Sequence, residues 1–204
     1  MQDNIILYNK DSFEAMKQME DNEFDLAIVD PPYGISNKMK GSRPMGKQIE
    51  GKTWNDKIPS KEYFVELFRV TKNQIIWGAN YYSNYLKPSR CWIVWDKKMT
   101  EKIGFSMNEL AYTSFDSTPK TYYRYADRLD RIHPCQKPVQ LYEWLLINYA
   151  KSGDSILDTH LGSGSIALAC HNLGFDLTGF EIDKDYFKQA AKRIEIHKSQ
   201  LKIF

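Results

Sequence analysis

Three cysteines, a net charge of only +2 and no long apolar run set the limits of this 204-residue sequence. Cys91, Cys135 and Cys170 are odd in number and include no C-x-x-C pair. That pattern argues against a disulfide framework or a zinc knuckle and fits a reducing cytoplasm. A zinc deaminase is excluded as well, because its H-x-E and P-C-x-x-C pairs are missing. No metal site is expected. No stretch is long enough to span a bilayer, and the start, MQDNIILYNKD, lacks the build of a signal peptide. The near-balanced charge means that a nucleic acid would be met by local patches, not by a basic protein as a whole.

What is present is an alternation of short apolar runs and longer amphipathic patterns, expected to form one domain over 1–204. Strands are predicted at 5–9, 25–30, 74–78, 91–96, 109–115, 155–159 and 177–181. Most are apolar on consecutive positions, as strands covered on both faces are. Helices are predicted at about 11–20, 60–72, 80–87, 138–151, 164–174 and 183–199. The alternation implies a doubly wound α/β fold with a mostly parallel, seven-stranded sheet. Two stretches break the rhythm, 36–58 and 116–132, and are read as inserted loops with a functional role.

The run SILDTHLGSGSIALACHNLG (155–174) reads as strand, glycine turn and helix. Gly162 and Gly164 permit the turn and bring backbone amides near a ligand at the helix start. Asp158 ends that strand. Glu181 ends the next one, where an acid can accept hydrogen bonds from ribose hydroxyls. The residues GSGSIA (162–167) also satisfy the dinucleotide fingerprint, so a nicotinamide enzyme is the alternative. Only one strand and one helix follow this loop, however. The sheet must be completed by strands that come earlier in the chain, an awkward order for a dehydrogenase.

Earlier in the chain, VDPPYG (29–34) stops a predicted core strand abruptly. Asp30 sits at the strand's carboxyl end, where ligands of open α/β sheets bind. Pro31 and Pro32 stiffen the turn and leave carbonyls free to accept. A nucleobase amine is a poor nucleophile because its lone pair is delocalised into the ring. A carboxylate and a carbonyl accepting its N–H bonds would favour a pyramidal, reactive nitrogen, and Tyr33 could stack on the base.

With DPPY (30–33) preceding LDTHLGSGS (157–165), the sequence resembles the β class of S-adenosylmethionine-dependent DNA amino-methyltransferases. YNKDSFEAM (8–16), TWNDK (53–57), HPCQKP (133–138) and GFEID (179–183) resemble further segments of that family. The resemblance covers nearly the whole chain. It implies a circularly permuted motif order and S-adenosyl-L-methionine as cofactor, held by Asp11, His133, Lys137, Asp158, His160, Gly162, Gly164 and Glu181. It implies Asp30, Pro31, Pro32 and Tyr33 as catalytic residues acting on a base flipped out of double-stranded DNA. An Asp at the first tetrapeptide position is the family's usual choice for adenine N6; cytosine N4 and RNA adenine are the alternatives. A subunit that binds DNA without catalysis is another, opposed by the intact Asp30, Tyr33 and Glu181.

Two features depart from the family pattern. Thr159 and His160 stand where Pro and Phe are usual, and the region for target recognition is very short. A homodimer sharing DNA contacts would compensate for the second. DNA contacts are expected from Lys38, Lys40, Arg43 and Lys47 in the first loop, which carries a surplus of four positive charges, and from Arg124 and Arg128 in the second.

Overall fold

The computed structural model describes residues 4–35, 54–99, 106–126 and 131–200. Eight strands form one sheet: β1 (Ile5–Tyr8), β2 (Phe24–Val29), β3 (Thr71–Trp77), β4 (Trp92–Asp96), β5 (Asn108–Thr113), β6 (Lys120–Tyr123), β7 (Ser155–Asp158) and β8 (Asp176–Phe180). Their order is β1-β8-β7-β2-β3-β5-β4-β6. Only β5 runs antiparallel to its neighbours, β3 and β4; every other pairing is parallel. Among the described residues five α-helices accompany the sheet: α1 (Ser12–Met16), α2 (Lys61–Val70), α3 (Val139–Tyr149), α4 (Ser165–Leu173) and α5 (Lys184–Ser199).

The central strands are apolar on successive positions because both faces are covered. On β2, Leu26 and Ile28 point into a core shared with Leu141 and Leu145 of α3, Ile166 of α4 and Ile194 of α5. Ala27 and Val29 point the other way, into a core with Met16 of α1 and Phe64 and Leu67 of α2. The sheet is therefore doubly wound. The α2 sequence KEYFVELFRV buries Tyr63, Phe64, Leu67 and Val70, a helical spacing that lays one stripe on the sheet. Helix α5 is started by Asp183, whose side chain accepts from the amides of Asp185 and Tyr186.

Among the described residues the sheet has eight strands, where seven were expected. The added one, β6, lies inside the stretch 116–132 that was expected to leave the sheet. It extends the edge beside β4 with the sequence KTYY. The helix expected at 80–87 is instead two short 3-10 turns, Ala79–Tyr81 and Ser83–Tyr85. Gly78 opens the first in the left-handed region at φ 69°, and the Tyr82 hydroxyl donates to the carbonyl of Trp77 at 2.6 Å. Among the described residues no helix is long and apolar enough to cross a membrane.

The topology sets the place of the site. Strands β2 and β7 are parallel neighbours, with Leu26 opposite Ile156. From β2 the chain passes to α2 on one face; from β7 it passes to α4 on the other. The crevice between such diverging connections is where open α/β sheets bind ligands.

Candidate active site

That crevice holds a cavity of about 290 Å3, at the small end of the range for small-molecule sites. Of the residues singled out from the sequence, Asp11, Asp30, Pro31, Pro32, Tyr33, His133, Lys137, His160, Gly162 and Glu181 line it. Asp158 and Gly164 lie behind the lining. The DPPY turn and the glycine loop, 130 residues apart in sequence, thus share one chamber.

The glycine loop is held by its own acid. Glu181 accepts from the Gly162 amide at 2.9 Å through Oε2 and from the Asp183 amide at 2.8 Å through Oε1. Gly162, at φ 53°, faces the cavity opposite His133. Gly164 answers a packing demand instead: a Cβ there would come 3.0 Å from Ile194 Cδ1 of α5. Asp158 is buried at the end of β7 and accepts the His160 amide at 3.0 Å. Burial pushes its carboxyl up to about 8, against that hydrogen bond. On the far wall, Asp11 caps α1 by accepting from the Phe13 amide at 2.8 Å.

Thr159 and His160, the departures from the family pattern, form a fixed unit. The Thr159 hydroxyl lies 2.6 Å from Tyr63 OH and 2.9 Å from His160 Nδ1. Burial lowers His160 to about 4 and His133 to about 3. Both rings are neutral near pH 7 and act as shaped, uncharged walls. His133 packs edge-on against Tyr186 at 4.4 Å and beside Trp54 at 4.9 Å. Trp54 lines the cavity, and its buried indole N–H has no hydrogen-bond acceptor among the described residues. A donor left in this way, beside neutral rings and the Glu181 carboxylate, fits a nucleoside-bearing ligand with polar edges.

The DPPY turn is braced from several sides. Asn55 accepts from the amides of Tyr33 at 2.7 Å and Gly34 at 3.2 Å. The Tyr33 hydroxyl donates to Asp30 Oδ1 at 2.6 Å. Its ring crosses Gly78 so closely that a Cβ there would lie 2.0 Å from Cε1. Only glycine fits. The Tyr82 hydroxyl is 2.6 Å from the Trp77 carbonyl and 3.2 Å from that of Pro31. Its single proton goes to the nearer acceptor, which leaves the Pro31 carbonyl able to accept another donor.

Lys137 lines the same cavity, but its ammonium turns toward acids. Nζ lies 2.5 Å from Asp30 Oδ2 and 3.0 Å from Glu109 Oε2. Glu109 Oε1 in turn meets Lys97 at 2.6 Å. Burial raises the Asp30 carboxyl and the neighbouring lysine opposes it. Burial also works to raise Glu109, but Lys137 and Lys97 outweigh it and hold its carboxyl well below the ordinary range. Glu109, Lys97, Asn55 and Tyr63 were not anticipated from the sequence. The one available signal was an acid at the start of the otherwise apolar strand ELAYTSF.

Of the residues expected at DNA, Arg124 lies at the end of β6, where its carbonyl accepts from Trp95 Nε1 at 2.8 Å. Lys38, Lys40, Arg43, Lys47 and Arg128 lie outside the described residues.

Solved structures share this fold. One, a complex of M1.HpyAVI with SAM, superimposes with a TM-score of 0.64 at 20% identity, covering 93% of this chain and 98% of the other. PvuII DNA methyltransferase, described as cytosine-N4-specific, gives 0.63 at 12% identity over 95% and 93%. The fold is thus shared with these structures. Residues 72–192 match the family described as DNA methylase, the N6/N4 methyltransferases, and the chain belongs to that family. Similar sequences include the Type II methyltransferase M.HpaI of Haemophilus parainfluenzae, 26% identical over 90% of this chain and 72% of the relative. Another is M2.DpnII of Streptococcus pneumoniae, 25% identical over 94% and 90%. A nicotinamide enzyme is set aside by this membership, as the strand order had argued.

Proposed function

We propose that the chain methylates the N6 amine of adenine in double-stranded DNA, using S-adenosyl-L-methionine, on a base turned out of the helix. The observation that carries the reading is that Asp30, at the tip of β2, opens into the same cavity as the Gly162–Glu181 loop beyond β7. S-adenosyl-L-methionine supplies an electrophilic methyl on a sulfonium. Glu181 and the Gly162 amide would bind its nucleoside part, with Asp11 at the adenine end. His160 and Trp54 would give it uncharged walls. Lys137, grouped with these from the sequence, is better read as serving Asp30.

The protein's own task is to make a delocalised amine nucleophilic. Asp30 Oδ1 and the Pro31 carbonyl would each accept one N–H of that amine, and Asp30 would offset the positive charge that develops on nitrogen. For Oδ1 to do so, the Tyr33 hydroxyl must leave it. Stacking of Tyr33 on the base would break that hydrogen bond and free the acceptor in one movement. Binding the base and arming the carboxylate are then coupled.

Adenine is favoured by the Asp at position 30. Cytosine N4 is the second reading, because the fold is shared with an enzyme described as specific for that base. Radiolabelled methyl transfer to DNA, followed by digestion to nucleosides, separates the two. Asp30→Ala should abolish incorporation while S-adenosylmethionine binding, followed by calorimetry, survives. Incorporation near the parent level would overturn the mechanism.

A further inference from the structure

The Asp30 carboxylate is held from behind by an ionic chain that begins outside the DPPY turn. Lys137 reaches Asp30 Oδ2 at 2.5 Å and Glu109 Oε2 at 3.0 Å, and Lys97 reaches Glu109 Oε1 at 2.6 Å. Lys137 is almost fully buried, with a side chain 2% exposed. A buried ammonium needs a full set of acceptors, and Asp30 alone cannot supply it. Glu109 is the second carboxylate. It stands opposite Trp95 on the antiparallel pair β4–β5, and Lys97 lies over the Trp95 ring at 5.2 Å. Two carboxylates and two ammoniums alternate, so the chain is neutral as a unit. Glu109 Oε2 meets the Lys137 ammonium as an ion pair at 3.0 Å.

We propose that Glu109 is a positioning residue of the methyl-transfer site: through Lys137 it pins Asp30 Oδ2 and reserves Oδ1 for the target amine. The inference rests on the methyltransferase reading above and adds to it a residue on β5, outside both sequence motifs. Without Glu109, Lys137 would keep as acceptors only Asp30 and the Tyr33 hydroxyl, 3.3 Å from Nζ, and be free to swing toward Oδ1. Its charge would then lie where the positive amine must form. Glu109 keeps the ammonium to one side and draws off part of its field.

The other titratable groups acting at Asp30 are the Tyr33 phenol, which donates to it, and Tyr82, Cys135, Tyr142 and Asp158 nearby. Burial raises the tyrosines and Cys135 and keeps them neutral near pH 7. Lys137 and Glu109 therefore dominate the charge at Asp30. Glu109 favours the protonated form and Lys137 the ionised one. Removing the Glu109 charge moves Asp30 ionisation to lower pH.

The test compares Glu109→Gln, Glu109→Asp and the parent in single-turnover methylation across pH, with binding of S-adenosylmethionine and DNA measured separately. Glu109→Gln should slow transfer at least tenfold, leave both affinities within about twofold, and move the acid limb of the rate profile to lower pH. Glu109→Asp should return the limb toward its parental position. Rates and limb unchanged in Glu109→Gln would overturn the proposal, as would a slow variant whose limb stays in place or whose cofactor affinity falls with the rate. A parent enzyme that transfers no methyl to DNA would instead overturn the underlying functional reading.

Discussion

Tyr81 lies flat on Tyr33, with ring centroids 4.9 Å apart and planes 13° from parallel. The DPPY tyrosine therefore already has an aromatic partner before any base arrives. Tyr81 ends the first 3-10 turn and is 41% exposed, so its ring can swing into solvent without opening the core. A base stacking on that face must take the place of Tyr81. Aromatic pairs contribute about 0.5–1.5 kcal/mol beyond burial. Tyr81→Ala should therefore favour the extrahelical base by up to about tenfold. The measurement is fluorescence of 2-aminopurine at the target position of bound DNA. Equal intensity for parent and variant would show that the base uses another surface.

Asp158 predicts a pH dependence of stability. Its carboxyl, ordinarily near 3.8, is pushed up to about 8 by burial at the end of β7. A folded-state value above the unfolded one means that its contribution is complete below about 4 and is lost as pH rises toward 8. Asp158→Asn keeps an oxygen for the His160 amide and cannot ionise. The variant should gain on the parent in melting temperature between pH 5 and pH 8. Each tenfold change in proton affinity is about 1.4 kcal/mol, and 1 kcal/mol is about 2–4 °C for a chain of this size. Melting curves that run parallel across this range would contradict the assignment.

The basic stretch predicts a salt dependence. If Lys38, Lys40, Arg43 and Lys47 neutralise phosphates, each contact removed should lower the slope of log affinity against log salt by about 0.9. Replacing all four with Gln and titrating DNA binding at several salt concentrations tests this. A slope equal to that of the parent would remove the stretch from the DNA interface.

The parts of the site readable from sequence are those fixed by local rules. Asp30 ends an apolar strand, the glycines open a helix, and Glu181 sits one strand further on. Each follows from chain spacing alone. Glu109 was hidden because its partners, Lys97 after β4 and Lys137 ahead of α3, are 12 and 28 residues away, and only the tertiary fold brings them together. Strand β6 escaped because KTYY at a sheet edge alternates partial and full exposure, leaving no apolar run to find. The stretch 80–87 has the length and aromatic content of a helix. The left-handed Gly78 and the Tyr82 hydrogen bond to Trp77 break it into turns. These are tertiary facts, and they override local propensity.

The sheet order also governs when the site comes into being. Among the described residues β1 pairs only with β8, and β2 meets its second neighbour only when β7 arrives. As the chain leaves the ribosome, Asp30 is made early, yet the wall that faces it waits for the last quarter of the sequence. Strand β1 must remain without a strand partner until residue 180 is available. Ser155, the first residue of β7, then locks the register by donating its amide to Asp25 Oδ2 at 3.0 Å and its hydroxyl to the same atom at 3.0 Å. A chain interrupted before that point carries Asp30 without the Gly162 and Glu181 wall that lines the same cavity.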